Sequence, residues 1–74
     1  MAVKVKLFAT LRQERFDEQD IDYVANITVQ NVIQNFNIPQ QDVAIIFING
    51  KHANLDQELN DGDTLSLFPP IGGG

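Results

Sequence analysis

Seventy-four residues suffice for one small domain, whose folding hides only roughly 60% of the surface of the unfolded chain. At 43% apolar residues the chain can build a compact core, and with no cysteine neither disulfides nor a cysteine-ligated metal can hold it together. Ten acidic residues against five basic ones give a net charge of −5, which disfavours nucleic acid and anionic membranes and favours a partner with a basic docking face.

The opening "MAVKVKLF" alternates Val3, Val5 and Leu7 with Lys4, Lys6 and Phe8, the period of a half-buried strand. No long apolar stretch follows its charges, which argues against a secretory signal and for a cytoplasmic protein. Asn26-Ile27-Thr28 matches a glycosylation acceptor, expected to stay unmodified in that setting. "ATLRQERFDEQD" is polar and reads as a turn or loop, and its acidic stretch, Glu14, Asp17, Glu18 and Asp20 with Asp22, lacks calcium-loop spacing and reads as solvated. A second strand is expected over Ile21 to Asn26, forming a hairpin with the first.

The period then changes. Val29, Val32, Ile33 and Phe36 lie at i, i+3, i+4 and i+7, one stripe of a helix. Thr28 is placed to cap its start, while Asn37 and Pro39 end it after about nine residues, too few to hold without tertiary packing. Val43 to Ile48 is continuously apolar and β-branched, as in a strand covered on both faces, and too short to span a bilayer. Asn49-Gly50 signals a tight hairpin with a short return strand over Lys51 to Ala53. Asp61-Gly62 makes a further turn before a last strand, Thr64 to Phe68.

This order predicts an α+β unit: a mixed sheet of four to five strands with one main helix packed across it, the first and last strands paired in parallel at the centre. It is the order of the ubiquitin-like β-grasp. The domain is expected over residues 1–68, with 69–74 as a flexible Pro-Pro/Gly tail.

"VKVKLFATLRQ" resembles the opening of the MoaD/ThiS family of sulfur carriers, and "ING" with "LNDGDTLSLFPPIGGG" resembles its close. The likeness covers the whole chain in order and spacing. Asp61-Gly62-Asp63, one strand ahead of Pro69-Pro70 and the glycines, is its most specific part. The Phe-Pro-Pro stretch is similar to the molybdopterin synthase small subunits within that family, although three glycines stand here where two are usual.

The resemblance implies a carrier and not an enzyme. A C-terminal carboxylate is adenylated with ATP by a ubiquitin-activating-type adenylyltransferase, converted to a thiocarboxylate with sulfur from a donor protein, and passed to an acceptor such as the molybdopterin synthase large subunit. No cofactor would be bound, and the chain alone would be a monomer.

The chemistry suits the residues. The carboxylate of Gly74 is ionised at neutral pH, and Gly72, Gly73 and Gly74 offer no Cβ to collide with a narrow active site. Pro69 and Pro70 fix φ and launch the tail through Ile71 as an extended spike, and six such residues reach at most about 20 Å. Alternation leaves Phe8, Phe47 and Phe68 on the sheet face away from the helix, an apolar patch beside the tail that suggests a partner interface. Arg12, in the Leu-Arg stretch, is a candidate for contact with a partner carboxylate or for a surface salt bridge in its loop. His52, the only histidine, reads as a solvated side chain with no metal partner. The alternatives are a ubiquitin-like binding or conjugation module, or a sulfur carrier for thiazole, cysteine or tRNA.

Overall fold

Alternation along the first strand decides the geometry of the centre of the molecule. In a computed structural model describing residues 1–70, Val3, Val5 and Leu7 of β1 (Ala2–Leu7) are wholly buried while Lys4 and Lys6 face outward. The chain continues through a 3-10 turn at Ala9–Arg12, β2 (Glu18–Asp22), α1 (Val29–Asn35), a second 3-10 turn at Gln40–Asp42, β3 (Ile45–Ile48), β4 (Lys51–His52) and β5 (Thr64–Phe68). The sheet order is β2-β1-β5-β3-β4. β1 and β5 run parallel at its centre, as the sequence predicts, and the other pairs are antiparallel.

The second strand lies earlier than Ile21 to Asn26. It is built from Glu18 to Asp22, so part of the acidic stretch is strand and not loop. The register explains the shift: Lys4 stands opposite Asp20 and Lys6 opposite Glu18, so opposite charges pair across the two strands. β2 is an edge strand, where charged residues are tolerated and discourage further pairing. Only Ile21, opposite Val3, leans onto the core.

The helix is seven residues long, shorter than the stripe suggests. Thr28 Oγ1 accepts the Asn31 N–H at 3.2 Å, and Asn31 Oδ1 accepts the Thr28 N–H at 3.0 Å, a reciprocal cap. Asn37 at φ 56° turns the chain out of the helix. Val29, Val32 and Ile33 then bury against Val3, Val5, Leu65 and Leu67, with Leu11, Ile38 and Leu59 closing the edges of the core.

β3 begins at Ile45, two residues later than the apolar run, because Val43 closes the 3-10 turn at Gln40–Asp42. Asn49 at φ 53° and Gly50 at φ 81° form the expected tight hairpin. β4 stops at His52, although the Ala53 N–H still donates to the Ile46 carbonyl at 3.0 Å. No helix among the described residues is long and apolar enough to cross a membrane.

Candidate docking surface and tail root

With Leu7 and Leu67 opposite each other and both buried, the next residue on each parallel strand must point to the other face. Those residues are Phe8 and Phe68. Phe8 keeps extended backbone, with φ −125° and ψ 151°, and its N–H donates to the Leu67 carbonyl at 3.2 Å. The two rings stack with centroids 4.3 Å apart and planes inclined by 9°.

On the other side of β5, Phe47 meets Phe68 edge-on at 5.7 Å. His52 extends the row across β4, its ring 4.7 Å from that of Phe47. The structure therefore brings Phe8, Phe68 and Phe47 together on the helix-opposite face, with His52 exposed at the end of the row. Each phenylalanine is half-buried rather than exposed, because the rings cover one another. Ile45, opposite Phe68 in the ladder, borders the same strip.

Arg12 stands at the Phe8 end. Its guanidinium lies 5.3 Å from the Phe8 ring centroid, Nε donates to the Leu7 carbonyl at 2.7 Å, and Asp17 Oδ1 is 3.5 Å away. The 3-10 turn that carries Arg12 is anchored by buried Leu11, and Ala9 enters it at φ 53°. The cation is thus held over the Phe8 ring while part of it stays in water.

Further along this face a lysine and a glutamate pair across β1 and β2. Lys4 Nζ donates to Glu18 Oε2 at 3.0 Å. That hydrogen bond, with the attraction of the two charges, holds the Glu18 carboxyl below its ordinary pKa and the Lys4 ammonium above its own. The stacked Phe8 and Phe68 rings and Arg12 stand at the end where β5 hands over to Pro69. Pro69 is half-buried and Pro70 exposed, while Ile71, Gly72, Gly73 and Gly74 lie outside the described residues.

Two features escape the sequence patterns. Phe16, in the polar stretch after β1, packs edge-on against Phe36 of the helix end, with ring centroids 4.9 Å apart, and both lean on the core. At the sheet end away from Pro69, Asn49 Nδ2 donates to Asp63 Oδ1 at 2.8 Å, and Asp63 Oδ2 accepts the Asn60 N–H at 2.7 Å. Asn49 Oδ1 in turn accepts the Thr64 N–H at 2.9 Å. The Asn-Gly and Asp-Gly-Asp motifs thus lock two turns together; they position β3 and β5, and no group of three or more His, Cys, Asp or Glu among the described residues could hold a metal ion.

Comparison with known proteins agrees with this layout. The ThiS family model matches residues 5–74. A Pyrococcus furiosus protein assigned as molybdopterin converting factor subunit 1 is 31% identical, with a TM-score of 0.76 over 96% of this chain and 99% of that one. Subunit 1 of the Helicobacter pylori molybdopterin-converting factor, solved in complex with subunit 2, is 28% identical with a TM-score of 0.67 over all of both chains. SAMP1 of Haloferax volcanii shares the fold at 24% identity, with a TM-score of 0.77 over all of both chains. No curated protein matches the sequence. A family match through nearly the whole chain, on a five-stranded ubiquitin-like β-grasp, assigns the protein to the ThiS family of ubiquitin-like sulfur carriers.

Proposed function

We propose that this carrier delivers sulfur for molybdopterin biosynthesis through a thiocarboxylate at Gly74. The observation carrying this reading is that the family match runs through Gly74, directly behind β5 and Pro69-Pro70. The carboxylate attacks the α-phosphate of ATP in the active site of an adenylyltransferase, releasing pyrophosphate. The terminal sulfur of a persulfide on a donor protein then displaces AMP to give an acyl disulfide, and a thiol cleaves its S–S bond, leaving the thiocarboxylate on Gly74 and a disulfide on the donor. The carrier contributes no side chain to these steps; it contributes a reactive end, a spacer and a docking face.

Likeness supports this choice of pathway. Two relatives above 25% identity carry the name of subunit 1 of a molybdopterin-converting factor, one of them solved in complex with its subunit 2. By that likeness, a molybdopterin synthase large subunit is the acceptor, and the row Phe8, Phe68 and Phe47 with Arg12 is the surface that grips both it and the activating enzyme. Stacked aromatics and an arginine ending in a partly desolvated row are the residue types on which binding energy concentrates.

ATP–pyrophosphate exchange tests the reading. With the cognate adenylyltransferase the full chain should support exchange, and a chain lacking Gly73 and Gly74 should not. Undiminished exchange by the shortened chain would overturn it.

A further inference from the structure

Asn49 stands exposed at the tip of the β3–β4 hairpin, with Gly50 next in the chain. Its side chain is nevertheless held through both its nitrogen and its oxygen. Nδ2 donates to Asp63 Oδ1 at 2.8 Å, and Oδ1 accepts the Thr64 N–H at 2.9 Å. Around Gly50 there is open space: a Cβ built there would meet no atom within 4 Å. Water reaches the pair freely.

An asparagine followed by glycine is chemically labile, because no Cβ hinders the approach of the next backbone nitrogen. The Gly50 nitrogen attacks Asn49 Cγ and forms a C–N bond. The Cγ–Nδ2 bond breaks, and Nδ2 leaves as ammonia with the proton that the backbone nitrogen gave up. Water then opens the five-membered imide. Cleavage at Cγ gives aspartate, and cleavage at the main-chain carbonyl gives isoaspartate. Only water is consumed, and no group is oxidised or reduced.

In the folded chain the atoms that must move are the ones held. The leaving nitrogen is the donor to Asp63, and the oxygen on the attacked carbon is the acceptor for Thr64. Asp63 is itself pinned, its second oxygen accepting the Asn60 N–H at 2.7 Å. We propose that Asn49 is a latent deamidation site with Asp63 as its latch, reacting only from states in which the two turns have separated.

The product does not close again. An aspartate at position 49 places one carboxylate against another where a donor had met an acceptor, and isoaspartate adds a main-chain atom to a two-residue turn. β3, which carries Phe47, loses the side-chain tie from Asn49 to Asp63 and keeps its backbone ladder to β5. The modification therefore works as a one-way loosening of the sheet, independent of what the carrier delivers.

The test is peptide mass mapping of Asn49, with isoaspartate detection, during incubation of the full chain at neutral pH. The folded chain should react more slowly than the same chain in denaturant by roughly tenfold or more, since reaction must wait for local opening. Asp63→Ala, shown to be folded by circular dichroism, should lose most of that protection. Equal rates for the folded and denatured chain, or a folded Asp63→Ala chain as slow as the parent, would overturn the proposal. If Asp63→Ala does not fold, Asp63→Asn, which keeps one acceptor oxygen in place of two, is read by the same criterion and should react at an intermediate rate.

Discussion

Phe8 and Phe68 lie face to face across the parallel β1–β5 pair, with planes only 9° apart and centroids 4.3 Å apart. The pairing follows from the register: once Leu7 and Leu67 are opposite each other in the core, the residues after them emerge side by side on the other face. Stacking in this position covers part of each ring and leaves the rest for a partner. Phe68 is also the last residue of β5, so the stacked pair stands directly before Pro69.

Phe68→Ala is therefore expected to affect both folding and binding, in unequal measure. Phe68 is half-buried and touches both Phe8 and Phe47, so unfolding stability should fall by about 1–2 kcal/mol, less than the 3–5 kcal/mol typical of a fully buried phenylalanine. Binding to the large subunit should weaken by about 2 kcal/mol or more per folded molecule. Denaturant unfolding and titration measure the two separately. A stability loss of core size with unchanged binding would move Phe68 from the docking surface into the core.

Leu67→Ala provides the contrast. Leu67 is wholly buried and faces the helix, so its truncation should cost about 2–5 kcal/mol of stability. In so small a domain that loss takes up a large part of the total. Binding per folded molecule should stay close to that of the parent chain, because Leu67 offers nothing to the outer face. The check is unfolding in urea alongside titration of the fraction that remains folded.

The pair Lys4–Glu18 predicts a small pH dependence with a definite sign. Glu18 is depressed by Lys4 in the folded state, so its contribution is present above the ordinary glutamate range and is lost as acid protonates it. Lys4 is raised by Glu18, so its contribution holds below the ordinary lysine range and is lost as strong base neutralises it. Glu18→Gln should thus lower the thermal midpoint slightly at neutral pH and not at all in acid. Both groups are exposed, so the difference should shrink further in high salt.

Gly74→Ala separates the tail from the body. The buried residues of the core run from Val3 to Leu67, so the thermal midpoint should move by no more than about a degree or two. Adenylation should fall sharply, because one methyl group is added where the activated carboxylate must enter the enzyme. Circular dichroism melting and pyrophosphate exchange on the same preparation make the comparison. Unchanged exchange would show that the final glycine is not selected for its missing side chain.

Much of this architecture is legible in the sequence because period and punctuation agree. Val3, Val5, Leu7, Leu65 and Leu67 alternate cleanly, Thr28 and Asn37 bracket the helical stripe, and Asn49-Gly50 leaves little choice of turn. β2 was less legible, since an edge strand can be made of charged residues when its partner supplies the opposite charges, and "EQDID" carries no apolar alternation. Phe16 was hidden for a related reason: a single aromatic in a polar loop has no period, and only the packing shows it against Phe36. The outward row was readable from alternation, but the stacking that half-buries its rings depends on the parallel register. The joining of Asn49 to Asp63 likewise depends on two turns meeting in space, which neither motif states alone.

Intact mass spectrometry of the full chain, after incubation with its adenylyltransferase, ATP and a sulfur donor, reads the thiocarboxylate itself. A sulfur carrier should gain the mass of one oxygen exchanged for one sulfur, localised to the C-terminal peptide and absent when ATP is withheld. That increase should reverse when molybdopterin precursor and large subunit are added. A chain that stays unmodified under these conditions, or that gains only the mass of a protein joined to it, would contradict the account.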